Sequence, residues 1–173
     1  MKSLSVAMAV ALGVVLGALG YGEQGAVEVD KLVERDGLLY EIDAGEPFTG
    51  TAVEYWPGGQ RSAEFELRDG VPHGKLITWN ESGQKEIEQR YRNGEKHGRA
   101  IWWYDNGQKM QKGEYRDGNR HGKWTEWHEN GQKSVSAEFL DGKLVKAECR
   151  DEQGNPEPCP EWDEEAGYWE LKW

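Results

Sequence analysis

Three histidines, His73, His97 and His121, stand 24 residues apart, and each precedes a glycine. Equal spacing of a good metal ligand invites a zinc reading. If that spacing marks successive hairpins of one sheet, equivalent side chains lie two strands, or about 9.6 Å, apart. Zinc holds imidazole nitrogens at about 2.0–2.1 Å, so neighbours in this column cannot share an ion. The expectation is a turn residue bonded to backbone, with no metal. The carboxylates are many, but they alternate with Lys and Arg, which cross-strand charge pairing explains without acid–base chemistry. The sequence holds no Gly-x-Ser-x-Gly elbow, no phosphate-cradling glycine loop and no cysteine with a plausible histidine partner. Cys149 and Cys159 are the only cysteines. Ten residues apart across a turn-rich stretch, with no further Cys or His nearby, they read as a disulfide and not as a zinc site. No catalytic residue, cofactor or enzymatic activity is expected.

The elements that must position these residues follow from the repeat. Gly50, Gly74, Gly98 and Gly122 share the 24-residue period. So do Gly59-Gln60, Gly83-Gln84, Gly107-Gln108 and Gly131-Gln132, and a third column holds Asp69-Gly70, Asn93-Gly94, Asp117-Gly118 and Asp141-Gly142. Asp-Gly and Asn-Gly are strong hairpin signals because both residues tolerate positive φ. Each unit therefore reads as two strands and two turns, for instance 52–56, the turn at 57–60, and 61–68. The fold class is all-β: an elongated single-sheet meander of repeated hairpins.

Alternation assigns two faces. On the second strand of each unit, Ala63, Phe65 and Leu67, with Ile87, Tyr91, Tyr115, Val135 and Phe139, form an apolar column set opposite Glu64, Glu66, Glu88, Arg90 and Lys112. On the first strand, Val53 with Tyr55, Ile77 with Trp79, Ile101 with Trp103 and Thr125 with Trp127 are expected on that same apolar side, as a ladder with Gly113 and Ala137 leaving room for its rings. Trp56, Trp102, Tyr104 and Trp124 then point outward. Large aromatics on a charged face resemble an interaction patch, so these four are the candidate partner-binding residues. The competing expectation is that the C-terminal segment, with Trp169, Leu171 and Trp173 alternating, covers them.

The run W-Y-D-N-G-Q-K at 103–109, followed by E-Y-R-D-G at 114–118 and His121-Gly122, resembles the MORN-repeat family in its bacterial variant form. The likeness extends over about residues 35–144, with 36–40 and 46–50 similar to a leading half-unit. Thr49 stands where later units have His, and Asn80 and His128 stand where Trp56 and Tyr104 do. The resemblance implies a meander of hairpins that binds other proteins. Many bacterial proteins with this repeat resemble the YwqK-type antitoxins, which implies neutralisation of a toxin as one role.

The ends and the charge bound the rest. Residues 1–22 carry Lys2 as their only charge and an apolar run from Val6 to Leu19, too short for a spanning helix and typical of a cleaved secretory signal. Residues 23–36 read as a connector or first strand, 37–145 as the repeats, and 146–173 as an acidic tail pinned by the disulfide. The formal charge of −11 repels nucleic acid and anionic membrane surfaces, so neither is expected as a partner. A protein, a basic toxin or effector among the options, is the better expectation. The function expected is an exported, non-catalytic, protein-binding repeat protein of the periplasm or cell envelope. An immunity protein against a delivered toxin and a carbohydrate-binding module are the alternatives.

Overall fold

A computed structural model describes residues 25–163 and 168–170 of the chain. The signal segment expected at 1–22 lies outside the described residues, as do Leu171 and Trp173 of the C-terminal alternation. The fold is nearly all β. Its strands are β1 (Ala26–Glu28), β2 (Leu32–Arg35), β3 (Leu38–Glu41), β4 (Gly50–Tyr55), β5 (Arg61–Arg68), β6 (Val71–Trp79), β7 (Lys85–Arg92) and β8 (Glu95–Trp103). Then follow β9 (Lys109–Arg116), β10 (Asn119–Trp127), β11 (Lys133–Leu140), β12 (Lys143–Arg150), β13 (Pro156–Glu157), β14 (Glu161–Asp163) and β15 (Tyr168–Glu170). One sheet runs strand by strand in sequence order from β4 to β13, the meander expected from the period, and β1 joins it beyond β4.

Both edges of this ribbon are rows of turns. At one edge Asp69, Asn93, Asp117 and Asp141 take φ between +47° and +51°, each followed by a positive-φ glycine. Two consecutive left-handed residues make the tight turn whose twist matches the strands. Gly94, Gly118 and Gly142 donate backbone bonds of 2.9 Å to the carbonyls of Pro72, Lys96 and Arg120 in the preceding turn, so the turns stack. The histidine column lies here: His73 Nδ1 is 3.2 Å from Asn93 Oδ1 and accepts from the Asn93 N–H at 3.4 Å, and His97 Nδ1 is 3.2 Å from Asp117 Oδ1. Thr49 does the same work with its hydroxyl, which accepts from the Asp69 N–H at 2.8 Å.

The opposite edge carries the Gly-Gln turns. Gly59, Gly83, Gly107 and Gly131 donate to the carbonyls of Trp56, Asn80, Tyr104 and His128 at 2.8–2.9 Å. Gly154 donates to Asp151 in the same way at 2.9 Å. This is a fifth turn of the series, and β12 leading into it pairs with β11, so the sheet continues past residue 145. The period hides it, because Gly154 follows Gly131 by 23 residues and not 24. The missing residue comes from a bulge. Around each His-Gly pair the strand carries two extra residues, for example 97–99 opposite Arg90, whereas β12 carries only Val145 as an extra.

Hairpin register overturns the expected face assignment. The pair Tyr55↔Arg61 is followed by Glu54↔Ala63, leaving Ser62 as a bulge, and Glu86, Met110 and Ser134 are left over in the same way. One extra residue flips the side of everything beyond it. Without the bulge Val53 would sit opposite Ala63, as the alternation suggested. With it, Val53 pairs with Glu64, Ile77 with Glu88 and Ile101 with Lys112. The Trp79–Trp103–Trp127 ladder therefore lies on the charged face, and Trp102 and Trp124 share the face of Phe65, Tyr91, Tyr115 and Phe139. Gly113 does make room for a ring, but the ring is Trp124, whose indole a Cβ at that position would overlap.

Candidate functional site

On the aromatic face burial is concentrated at the two ends. At the first, Phe48, Ala52 and Leu67 are buried under Val27, Val29, Leu32 and Leu39. The β2–β3 hairpin is tied down by the Leu39 N–H bonding to the Gly70 carbonyl at 2.9 Å, and β1 closes the outer edge by parallel pairing with β4. At the second end Ala100, Trp124, Val135, Ala137, Phe139 and Cys149 are buried, with Trp162 of β14 packed on them. The Phe139 and Trp162 rings meet edge-on at 4.9 Å. The Cys149–Cys159 disulfide is formed and ties β12 to the segment that leads into β14. Between these caps Leu76, Ile87, Tyr91 and Trp102 are half-buried in a strip around Gln89, which is 2% exposed and pairs with Leu76 and Ala100 on the same face.

The four aromatics expected to point outward are not one patch. Trp124 is 1% exposed, and its Nε1 donates to the Glu114 carbonyl at 3.1 Å. It is the centre of the larger core, with Tyr115 at 5.0 Å and Phe139 at 6.2 Å, so its expected place on the surface is corrected. Trp102 joins the margin of that core, 6.1 Å from Trp124 and 6.5 Å from Tyr115, and keeps part of its ring exposed. Trp56 and Tyr104 stand in the Gly-Gln turns, away from that pair. Trp56 Nε1 donates to the Trp79 carbonyl at 2.9 Å, and Tyr104 Oη donates to the Trp127 carbonyl at 2.7 Å. His128 occupies the same column, with Nε2 2.8 Å from the Arg150 carbonyl. These side chains staple one unit to the next. Burial, then the carboxylates Glu129 and Glu126, push the Tyr104 hydroxyl pKa up. Of the four, Trp102 alone lies on the strip between the caps.

Sequence reasoning missed two cations on this face. The column Phe48, Pro72, Lys96, Arg120 and Leu144 runs along its margin, and its charged members break an apolar series. The Arg120 guanidinium lies 4.1 Å from the Trp124 ring centre and 4.7 Å from that of Trp162, with Glu126 Oε1 at 3.8 Å. Lys96 Nζ lies 5.1 Å from the centre of Tyr115. Burial, and secondarily the charge of Arg120, lower the Lys96 pKa. Charge at an otherwise apolar repeat position was the signal available in the sequence. Among the described residues no group of three His, Cys, Asp or Glu side chains is placed to hold a metal ion.

Comparison with known proteins agrees with the repeat. The model of the MORN repeat variant matches residues 72–93, 96–117 and 120–141, three consecutive units. No curated protein matches the chain. A solved structure, the GtfA/B complex bound to UDP and GlcNAc, is similar at 12% identity over 64% of this chain, with a TM-score of 0.26. The match spans 23% of that chain's length.

Proposed function

We propose that this repeat protein is a non-catalytic binder of another protein, and that the strip between the two caps of the aromatic face is where the partner sits. The observation that carries the reading is the half-buried run of Leu76, Ile87, Tyr91 and Trp102, which among the described residues lies between the two buried clusters, with Trp102 at the margin of the second. Aromatic and aliphatic side chains held rigid by a sheet are suited to anchoring a partner, because little side-chain freedom is lost on contact. Export to the periplasm or cell envelope belongs to the same reading. It is supported by the disulfide, which oxidising compartments favour, and by the composition of residues 1–22. Neutralising a delivered toxin is the finer proposal, and the resemblance to YwqK-type antitoxins is what supports it.

The test is affinity purification from the native envelope with wild-type bait and with Trp102→Ser, followed by titration of whatever partner co-elutes. Loss of about 2 kcal/mol in affinity with a small change in melting temperature is expected for an anchoring tryptophan. Equal affinity for the same partner, with loss in Trp103→Ser instead, would move the binding surface to the charged face. For the toxin reading, deletion of this gene should be lethal only while the toxin gene is intact.

A further inference from the structure

Lys96 occupies a position that the fold fills elsewhere with Pro72 or Leu144. Its ammonium is half-buried and makes no ion pair with any described residue, although the chain carries a net charge of −11. Glu88 and Glu114 on the neighbouring strands project from the opposite face, as their pairing with Ile101 and Arg99 requires, and Asp117 of the adjoining turn is paired with Arg92 and His97. A second cation, Arg120, stands in the next unit and has Glu126 beside it. Desolvating an ammonium next to a like charge is unfavourable unless an anion arrives. Tyr115 lies under the ammonium and holds it at the margin of the strip that contains Tyr91.

We propose that Lys96, seated on Tyr115 and reinforced by the field of Arg120, receives a carboxylate from the bound protein partner. The proposal rests on the reading that the aromatic face binds a protein, and adds the chemistry of that partner: an acidic side chain next to apolar ones. A charge-assisted hydrogen bond to an ammonium that has already lost part of its water is stronger than one formed at an open surface. The acidic character of the chain as a whole then discriminates against partners whose acids do not fall at this point.

The probe is glutarate, with glutaramide as its uncharged counterpart, titrated into the full-length protein after reductive methylation of lysines. The methyl resonance that disappears in Lys96→Met identifies Lys96. The expected result is a saturable shift of that resonance with glutarate, at least about tenfold weaker with glutaramide, as loss of a charged hydrogen bond implies. Lys96→Met should melt no lower than wild type, since the fold does not need the charge. No saturable shift would overturn the proposal. A lower melting temperature in Lys96→Met would also overturn it, by making the lysine structural. Glutarate binding without any captured partner would leave this site standing and sink the protein-binding reading, whereas partner capture without glutarate binding does the reverse.

Discussion

The two faces of this sheet bury their tryptophans by different means. On one, Trp124 and its neighbours are sealed by added structure: a β14–β15 hairpin carrying Trp162, held next to β12 by a disulfide. On the other, Val53 and Ile101 are 1% exposed. There, long charged side chains lie across the ladder. The Arg61 guanidinium is 6.0 Å from the Trp79 ring centre, and the Lys85 ammonium is 6.0 Å from that of Trp103. Their aliphatic stems exclude water while their heads stay solvated. The first face is a core sealed at its two ends by added structure, and the proposed binding strip lies between them. The second is covered in part by its own charged side chains.

The sharpest way to break this comparison is Trp124→Ala. It removes the largest fully buried side chain, and Gly113 on the facing strand offers nothing to fill the space. The expected loss is about 3–5 kcal/mol, read as a shift in denaturant midpoint. A loss below that of Trp103→Ala would reverse the assignment of faces. Removing the clamp comes next. Cys149→Ala with Cys159→Ala opens a short loop, and about 2–3 kcal/mol should go in the chain-entropy picture. Because Trp162 sits beside the bridge, exchange protection should fall in β11 and β12 and stay unchanged in β4 and β5.

Trp103→Ala is the counterpart on the charged face. The ring is half-buried and its covering side chains can collapse into the gap, so about 1–2 kcal/mol is expected. The ordering of these three losses is the content of the comparison, and a flat ordering would mean that both faces are covered alike.

Much of this architecture is legible in the sequence. The glycine columns locate every turn between Gly59 and Gly142, because positive φ is a backbone demand that few residues meet. The faces are not legible. Alternation says which residues along one strand share a side, but the match between strands depends on bulges at Ser62, Glu86, Met110 and Ser134, where no residue type repeats in all four units. The fifth unit was hidden for a related reason, since one fewer residue in its bulge shifts it out of a period counted in 24s. Trp162 packs on Phe139 from a segment outside the repeat, so no periodic argument could place it. The candidate site suffered most. Placing Trp124 outside depends on a parity that these bulges break, and the charge of Lys96 and Arg120 in an otherwise apolar column does not by itself say which side chains surround them.

The smallest effect tests the edge that joins the faces. Trp56 and Tyr104 are expected from the sequence to face outward toward a partner and His128 stands in their column, yet each aims a polar atom at a carbonyl of the following unit. If Tyr104 is a staple, Tyr104→Phe keeps the ring and deletes one hydrogen bond, leaving the Trp127 carbonyl to be resatisfied by water at an open edge. The expected cost is about 0.5–1.5 kcal/mol. Partner affinity should not change, because the ring does not lie on the strip between the caps. The same hydroxyl makes a pH prediction. The Tyr104 hydroxyl is harder to ionise in the folded chain than in the unfolded one, so the unfolded state releases its proton first as pH rises. Stability attributable to Tyr104 is present below the ordinary tyrosine range and declines above it, so the difference between wild type and Tyr104→Phe should narrow as the melt is moved to alkaline pH. A gap that stays constant across that range would show that burial and the carboxylates of Glu129 and Glu126 do not hold the proton on this hydroxyl in the folded chain.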